Sequence, residues 1–397
     1  MLKTDTRGPL SLAKPYWVTC LAFSSTQDST SSNNKLFVRR YQDGKKSVTA
    51  AASYILVSVE AHTNMHDSLR ALLGHLPPKS MSSVWVEVCP GFEQMVAIHF
   101  NFKEVDLFDT LLLVSRELKL YSCADSIHIV EGGTSSSDSN SHLEKEPSWR
   151  SMKNDLSASA VKLSIIDTPI STQHAYLEGR NIHQEDFGVE HIHGTHVAGI
   201  AIQMNPNIQL LSFPAANITV LIDANDRSRT DIEVHRGDKG KVLTGIARLS
   251  AALTDFLNSN ARVVNISAGI DKSDERMIAF ISPLMKRLRK KGSIITIAAG
   301  NKSTNVDENG ATDLLMSFVN KEMTEEVDGV RKSFRMDNMV AVAACDENDR
   351  LASFSNCGKQ SVLLAASGVR VRSYTEVPNL FGIMDGTSQA APQVAAT

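Results

Sequence analysis

The order of apolar and polar positions divides the chain into stretches of different texture. Residues 1–50 are polar and mixed, loosest over Ser24–Asn34, and read as a flexible leader. From residue 51 the pattern tightens. Tyr54–Glu60, Ser83–Cys89, Met95–Asn101 and Ser126–Val130 read as strands, while Met65–Leu76 and Val105–Leu118 carry apolar residues at helical spacing. Pro90 and Gly91 mark a turn between the middle strands. The order strand, helix, strand, strand, helix, strand is that of a small α+β ferredoxin-like unit, here over 51–131. The pattern then stops: residues 132–157 carry Ser135, Ser136, Ser137, Ser139 and Ser141, followed by the charges of Glu144–Glu146. Such a composition buries too little apolar surface to offset its ordering entropy, so it reads as an exposed linker.

Over 158–397 the texture changes again. VKLSIID, Ile208–Phe213, RVVNIS, SIITIAA, MVAVAA and SVLLAA are apolar runs without polar alternation. Between and after them lie helical patterns at HGTHVAGIAI, Lys241–Leu257, Met277–Lys290 and from Ser388 onward. Continuous apolar strands interleaved with helices predict an α/β fold, a doubly wound, mostly parallel sheet covered on both faces. Ligands of such sheets bind beyond the carboxyl ends of the strands, where Asp167 and Asn301 each stand.

Composition narrows the function without deciding it. The 397 residues suffice for two to three domains; 21% are charged and the net charge is −3, which is not the basic balance of a nucleic-acid binder. No apolar run approaches the ~20 residues of a membrane-spanning helix. Five scattered cysteines form neither a disulfide framework nor metal-ligand spacing. Lys3, Arg7 and Lys14 before Tyr16–Phe23, with Ala22 and Ser24 behind, make a weak secretory signal that leaves the compartment open.

The candidate chemistry is sharper. Asp167 closes VKLSIID, His193 sits in HGTHVAGI, and Ser388 in GTSQAAP. Acyl transfer by a serine needs a base to take its proton and a carboxylate to orient that base, and these three residue types supply the set. His193 and Ser388 are embedded in glycine and small residues that permit close backbone packing. The three motifs, in the order Asp, His, Ser, resemble those of the subtilisin-like serine proteases, over roughly Trp149–Thr397. The resemblance implies Ser388 as nucleophile at a helix start, His193 as base, Asp167 behind it, and Asn301 of IITIAAGN as oxyanion donor beside the Ser388 N–H. It further implies that Ser267, Ala268 and Gly269 pair with an extended peptide, and that Ala298, Ala299 and Gly300 wall a specificity pocket suited to apolar side chains. The 51–131 unit resembles an inhibitor propeptide, so the expected partners are a polypeptide substrate and the chain's own N-terminal domain, in a zymogen. No acidic ligand loop stands out, and no metal or other cofactor is assigned.

The pattern also departs from the family. Pro169 replaces a glycine, so the turn behind Asp167 must differ; Gln389 replaces a methionine; only 26 positions separate Asp167 from His193. Thr397 lies nine positions past Ser388, and a helix that short is marginal on its own, so the catalytic domain reads as truncated. A catalytically silent binding or regulatory relative is one alternative, and a metal site at His191, His193 and His196 is another.

Overall fold

The computed structural model describes residues 35–131 and 161–397 apart from isolated positions and gaps at 44–45, 59–63, 77–83, 89–94, 101–109, 175–176, 178–181, 183–191, 218–219, 224–240, 271–274, 328–329 and 378–379. The weak signal, Pro90, Gly91 and the Ser-rich linker lie outside the described residues.

Strand structure begins earlier than the texture of the leader indicates, with β1 (Lys35–Asp43) and β2 (Lys46–Ser58). After α1 (Met65–Gly74) come β3 (Trp85–Val88), β4 (Met95–His99), helical residues within 110–117, and β5 (Tyr121–Ser126). The strands β5, β2, β4 and β3 lie side by side in that order, every pair antiparallel, as in a ferredoxin-like unit. Side chains alternate across β2. Ile55 and Val57 join Leu72, Val96, Ile98 and Leu111 in one core, while Tyr54, Leu56 and Ala97 join a second cluster containing Ile246, Phe256, Met277 and Phe280. Both faces are covered, which is why Tyr54–Val57 reads as an unbroken apolar run. Two strand exchanges tie this unit to the C-terminal part of the chain. Val220–Asp223 (β10) pairs in parallel with β1, and His128–Glu131 (β6) leaves the sheet to pair antiparallel with Lys241–Thr244 (β11).

The larger sheet consists of β7 (Lys162–Ile166), β8 (Gln209–Ser212), β12 (Val263–Ile266), β13 (Ile294–Ala298), β16 (Met339–Cys345) and β17 (Leu364–Ser367). All neighbours are parallel, in the spatial order β8, β7, β12, β13, β16, β17. The chain starts in the interior at β7, steps outward to β8, and then crosses back to β12, so the order reverses between β7 and β12. On one face α2 (Ile192–Met204) packs against α6 (Thr387–Ala396); on the other lie α3 (Ile246–Asn258) and α4 (Glu275–Lys290), and a single turn, α5 (Val306–Asn309), follows β13. The alternation within β7 follows this division: Leu163 and Ile165 pack with α2, Ile166 with α3 and α4. The short α6 is not left to its own propensity. It lies across β12, β13, β16 and β17 and buries Ala390, Ala391 and Ala396.

Two further differences from the sequence reading come from strand pairing. Lys241–Leu257 is not one helix: β11 occupies its first four residues, held between β6 and Ala216–Asn217 (β9), and extended Gly245 caps the helix that starts at Ile246. Two hairpins, β14–β15 (Glu322–Val327, Val330–Arg335) and β18–β19 (Val371–Tyr374, Phe381–Met384), rest on cross-strand pairs that no single segment reveals.

Candidate active site

The strand order reverses between β7 and β12, and beyond the carboxyl ends of such a pair is where open parallel sheets form a crevice. Asp167 ends β7 and Ser267 follows β12, so these two residues flank it. Asp167 is buried, and its Oδ1 lies 2.7 Å from Nδ1 of the equally buried His193 at the start of α2. That contact fixes which ring nitrogen faces the carboxylate and leaves Nε2 as the one able to exchange a proton. Burial pushes the His193 pKa down, but the Asp167 charge and hydrogen bond outweigh it, and the group titrates above its ordinary value of 6.5.

The turn after Asp167 accommodates Pro169 by bonding to α2. Thr168 Oγ1 accepts the Gly194 N–H (2.8 Å) and Thr195 Oγ1 accepts the Ser171 N–H (2.8 Å). Gly194 is required here, because a Cβ would strike the Thr168 carbonyl oxygen. One turn on, a Cβ at Gly199 would run into Ser373 and Tyr374, so this glycine admits the β18–β19 hairpin rather than the parallel sheet. His196 faces that hairpin, with Nε2 3.1 Å from the Gly382 carbonyl, and burial holds its pKa down at about 4. The two histidines therefore serve different partners, which argues against a shared metal site; His191 lies outside the described residues. Among the described residues no cluster of three or more His, Cys, Asp or Glu side chains could hold a metal ion.

Across the crevice, Ser388 opens α6 within a half-buried site. Its Oγ donates to the Ser267 carbonyl (3.0 Å), and Ser267 Oγ donates back to the Ser388 carbonyl (2.9 Å). Beneath them Asn265 Nδ2 donates to Ser267 Oγ, and Thr296 Oγ1 donates to Asn265 Oδ1. The segment 267–269 is thus bonded to the serine it accompanies. Ser267 and Ala268 are buried while Gly269 is exposed, and Asp313 Oδ2 accepts the N–H of Ile270 just beyond.

Asn301 stands three residues past β13, exposed. Its Oδ1 accepts from both the N–H and the hydroxyl of Thr387, each at 2.9 Å, which aims Nδ2 away from Thr387. Thr387 Oγ1 in turn accepts the Gly300 N–H (3.0 Å). Of the small residues before Asn301, Ala299 is buried and Ala298 and Gly300 are half-buried. Gly300 adopts φ +100°, a conformation that side chains other than glycine rarely take. Gln389, in the position after the serine, is fully buried, its Nε2 3.8 Å from the Met384 sulfur. A serine hydroxyl, an imidazole oriented by a carboxylate and an amide donor are the groups that acyl transfer uses. Thr387 had no sequence signal beyond its place in the GTS motif.

Residues 158–397 match the sequence model described as "Subtilase family". A thermophilic serine proteinase of Bacillus sp. (strain AK1) is 29% identical over 246 residues, 60% of this chain and 51% of that protein. Subtilisin-like protease 2 of Plasmodium falciparum is 29% identical over 203 residues, 51% of this chain and 13% of that protein. The match thus spans about half of the first relative and less of the second. Among solved structures, the epidermin leader peptide processing serine protease of Staphylococcus aureus superposes with a TM-score of 0.52 at 18% identity, covering 87% of this chain and 86% of that one. At that identity the likeness speaks to the fold alone.

Proposed function

Because the chain belongs to the subtilase family, we propose that it is a serine endopeptidase that hydrolyses peptide bonds through an acyl-enzyme. The observation that carries this reading is the buried Asp167–His193 pair, its Oδ1 and Nδ1 2.7 Å apart. The Ser388 hydroxyl exchanges its bond to the Ser267 carbonyl for one to His193 Nε2 and attacks the scissile carbonyl carbon as its proton passes to the imidazole. Asp167 stabilises the imidazolium, and Asn301 Nδ2 with the Ser388 N–H receives the developing oxyanion. The imidazolium then protonates the leaving amine, and water, deprotonated by His193, releases the acyl group. Extended substrate backbone adds a strand along 267–269, and the small residues 298–300 admit apolar side chains.

The N-terminal unit, on this reading, is an intramolecular inhibitor and the enzyme a zymogen, processed in the linker. Support comes from β6, which lies antiparallel on β11 much as an extended substrate would, and from the Tyr54, Leu56 and Ala97 face packed against the α3–α4 cluster. The decisive experiment pairs fluorophosphonate labelling with turnover of a peptide substrate by the wild-type chain and Ser388→Ala, before and after the linker is cleaved. Labelling and hydrolysis that appear on cleavage and vanish in Ser388→Ala are expected. A folded wild-type chain that neither labels nor turns over would leave the silent relative as the reading.

A further inference from the structure

Asn356 lies 55 positions beyond Asn301 in sequence, and the proposed mechanism gives it no part. It is 4% exposed, and its carboxamide is spent entirely on the loop that carries Asn301. Nδ2 donates to the Ala299 carbonyl (2.8 Å), and Oδ1 accepts the N–H of Lys302 (3.0 Å) and of Thr304 (3.1 Å). Its backbone N–H donates to the Gly300 carbonyl (2.8 Å). A Cβ on Gly300 would come within 2.5 Å of Nδ2, so the positive-φ glycine is what lets the clamp close. The loop it holds is otherwise awkward, since Ser303 also has positive φ, at 50°. Residues on both sides of Asn301 are thereby bound to one side chain, while among the described residues the Asn301 amide is held on its oxygen side, by Thr387.

We infer that Asn356 is the positioning residue of the oxyanion donor: it holds the 299–304 loop so that Asn301 Nδ2 stands where transition-state charge develops. A preorganised donor acts because it need not move during the reaction, and a misplacement of about 1 Å can cost on the order of 100-fold in rate. The carboxamide is used in both senses, two acceptances and one donation, so an isosteric carboxylate would keep the acceptances and set an oxygen against the Ala299 carbonyl. The inference rests on the protease reading, with Asn301 as oxyanion donor.

The test uses the full chain with its linker cleaved, in four forms: wild type, Asn356→Asp, Asn301→Ala and the double variant. Hydrolysis of a peptide p-nitroanilide is measured per active site, counted by fluorophosphonate titration, so that loss of folded protein drops out; Asn356→Ser serves as a second, uncharged variant. Asn356→Asp and Asn356→Ser are expected to lower kcat about 10- to 100-fold with KM within about 2-fold. In the Asn301→Ala background the same changes should lower kcat no further, because the group they position is gone. A wild-type kcat in the single variants, a loss confined to KM, or a full additional loss in the double variant would each overturn the assignment. Absence of turnover in the wild type would instead sink the protease reading.

Discussion

The two sides of the crevice are held in different ways. On the side of the proposed base, His193 projects from a helix packed into the core, and the buried Asp167 carboxylate orients its ring. On the side of the proposed oxyanion donor, Asn301 sits in an exposed loop with two positive-φ residues, and two side chains hold it: Thr387 on the amide, Asn356 and Thr387 on the backbone around it. A residue on a regular element inherits its position from packing. One in an irregular loop needs its backbone polar groups satisfied one by one. The base side should therefore fail all at once and the oxyanion side by degrees.

The largest expected effect is that of Asp167→Asn, a loss of about 10⁴-fold in kcat, because the amide supports the wrong imidazole tautomer. Its pH profile carries the second half of the test. Catalysis needs neutral His193, so wild-type kcat/KM should rise with pH on a limb whose midpoint lies above 6.5, where the Asp167 charge and hydrogen bond hold it. With the carboxylate gone, burial acts alone and moves that midpoint down. An unshifted limb would detach the limb from His193. Next comes Asn301→Ala, expected to cost about 10²- to 10³-fold in kcat with little change in KM. Thr387→Val keeps the backbone N–H donor to Asn301 Oδ1 but removes the hydroxyl, and should cost less, about 10-fold. If Thr387→Val were as damaging as Asn301→Ala, the graded failure expected of this side would be wrong.

Two further effects fall on stability rather than rate. His196, on the same helix as His193, has a folded pKa of about 4 against an ordinary 6.5. A depressed histidine pKa means that protonation opposes folding: the stability is complete above pH 6.5 and is lost as the pH falls toward 4, by at most about 3 kcal/mol. Urea unfolding of His196→Gln should show a shallower loss between pH 7 and 4 than wild type; parallel curves would refute it. The smallest effect belongs to Lys291, which leads into β13 from the opposite end to Asn301. Its ammonium lies 2.5–3.2 Å from the carbonyls of Phe256, Leu257 and Ser259 and over the Phe256 ring, capping α3. Lys291→Met should cost about 1 kcal/mol in thermal unfolding and leave kcat unchanged. A change in kcat would show that strain at this end of β13 reaches the site.

Much of this was legible in the chain. His193, Asn301 and Ser388 stood out as candidates because each sits among glycines and small residues whose spacing is local, Asp167 because it closes an apolar strand, and the apolar runs of β7, β12, β13 and β16 announced strands covered on both faces. Local pattern misled where the deciding partner was distant. Lys241–Thr244 took the texture of the helix behind it until β6 and β9 claimed it as a strand, and β1 lay hidden in a polar leader until β2 and β10 paired with it. The sequence by itself determined which residues are candidates for the chemistry and which short segments are apolar enough to become strands or helices, since both depend on side-chain identity over a few positions. Only the tertiary structure decided that the strand order reverses between β7 and β12, that Thr387 turns the Asn301 amide, and that Asn356 closes on the loop around it. The side-chain bonds of Thr387 and Asn356 to that loop join residues 52 to 87 positions apart, and they form because packing and backbone pairing across the fold leave buried polar groups one place to find partners.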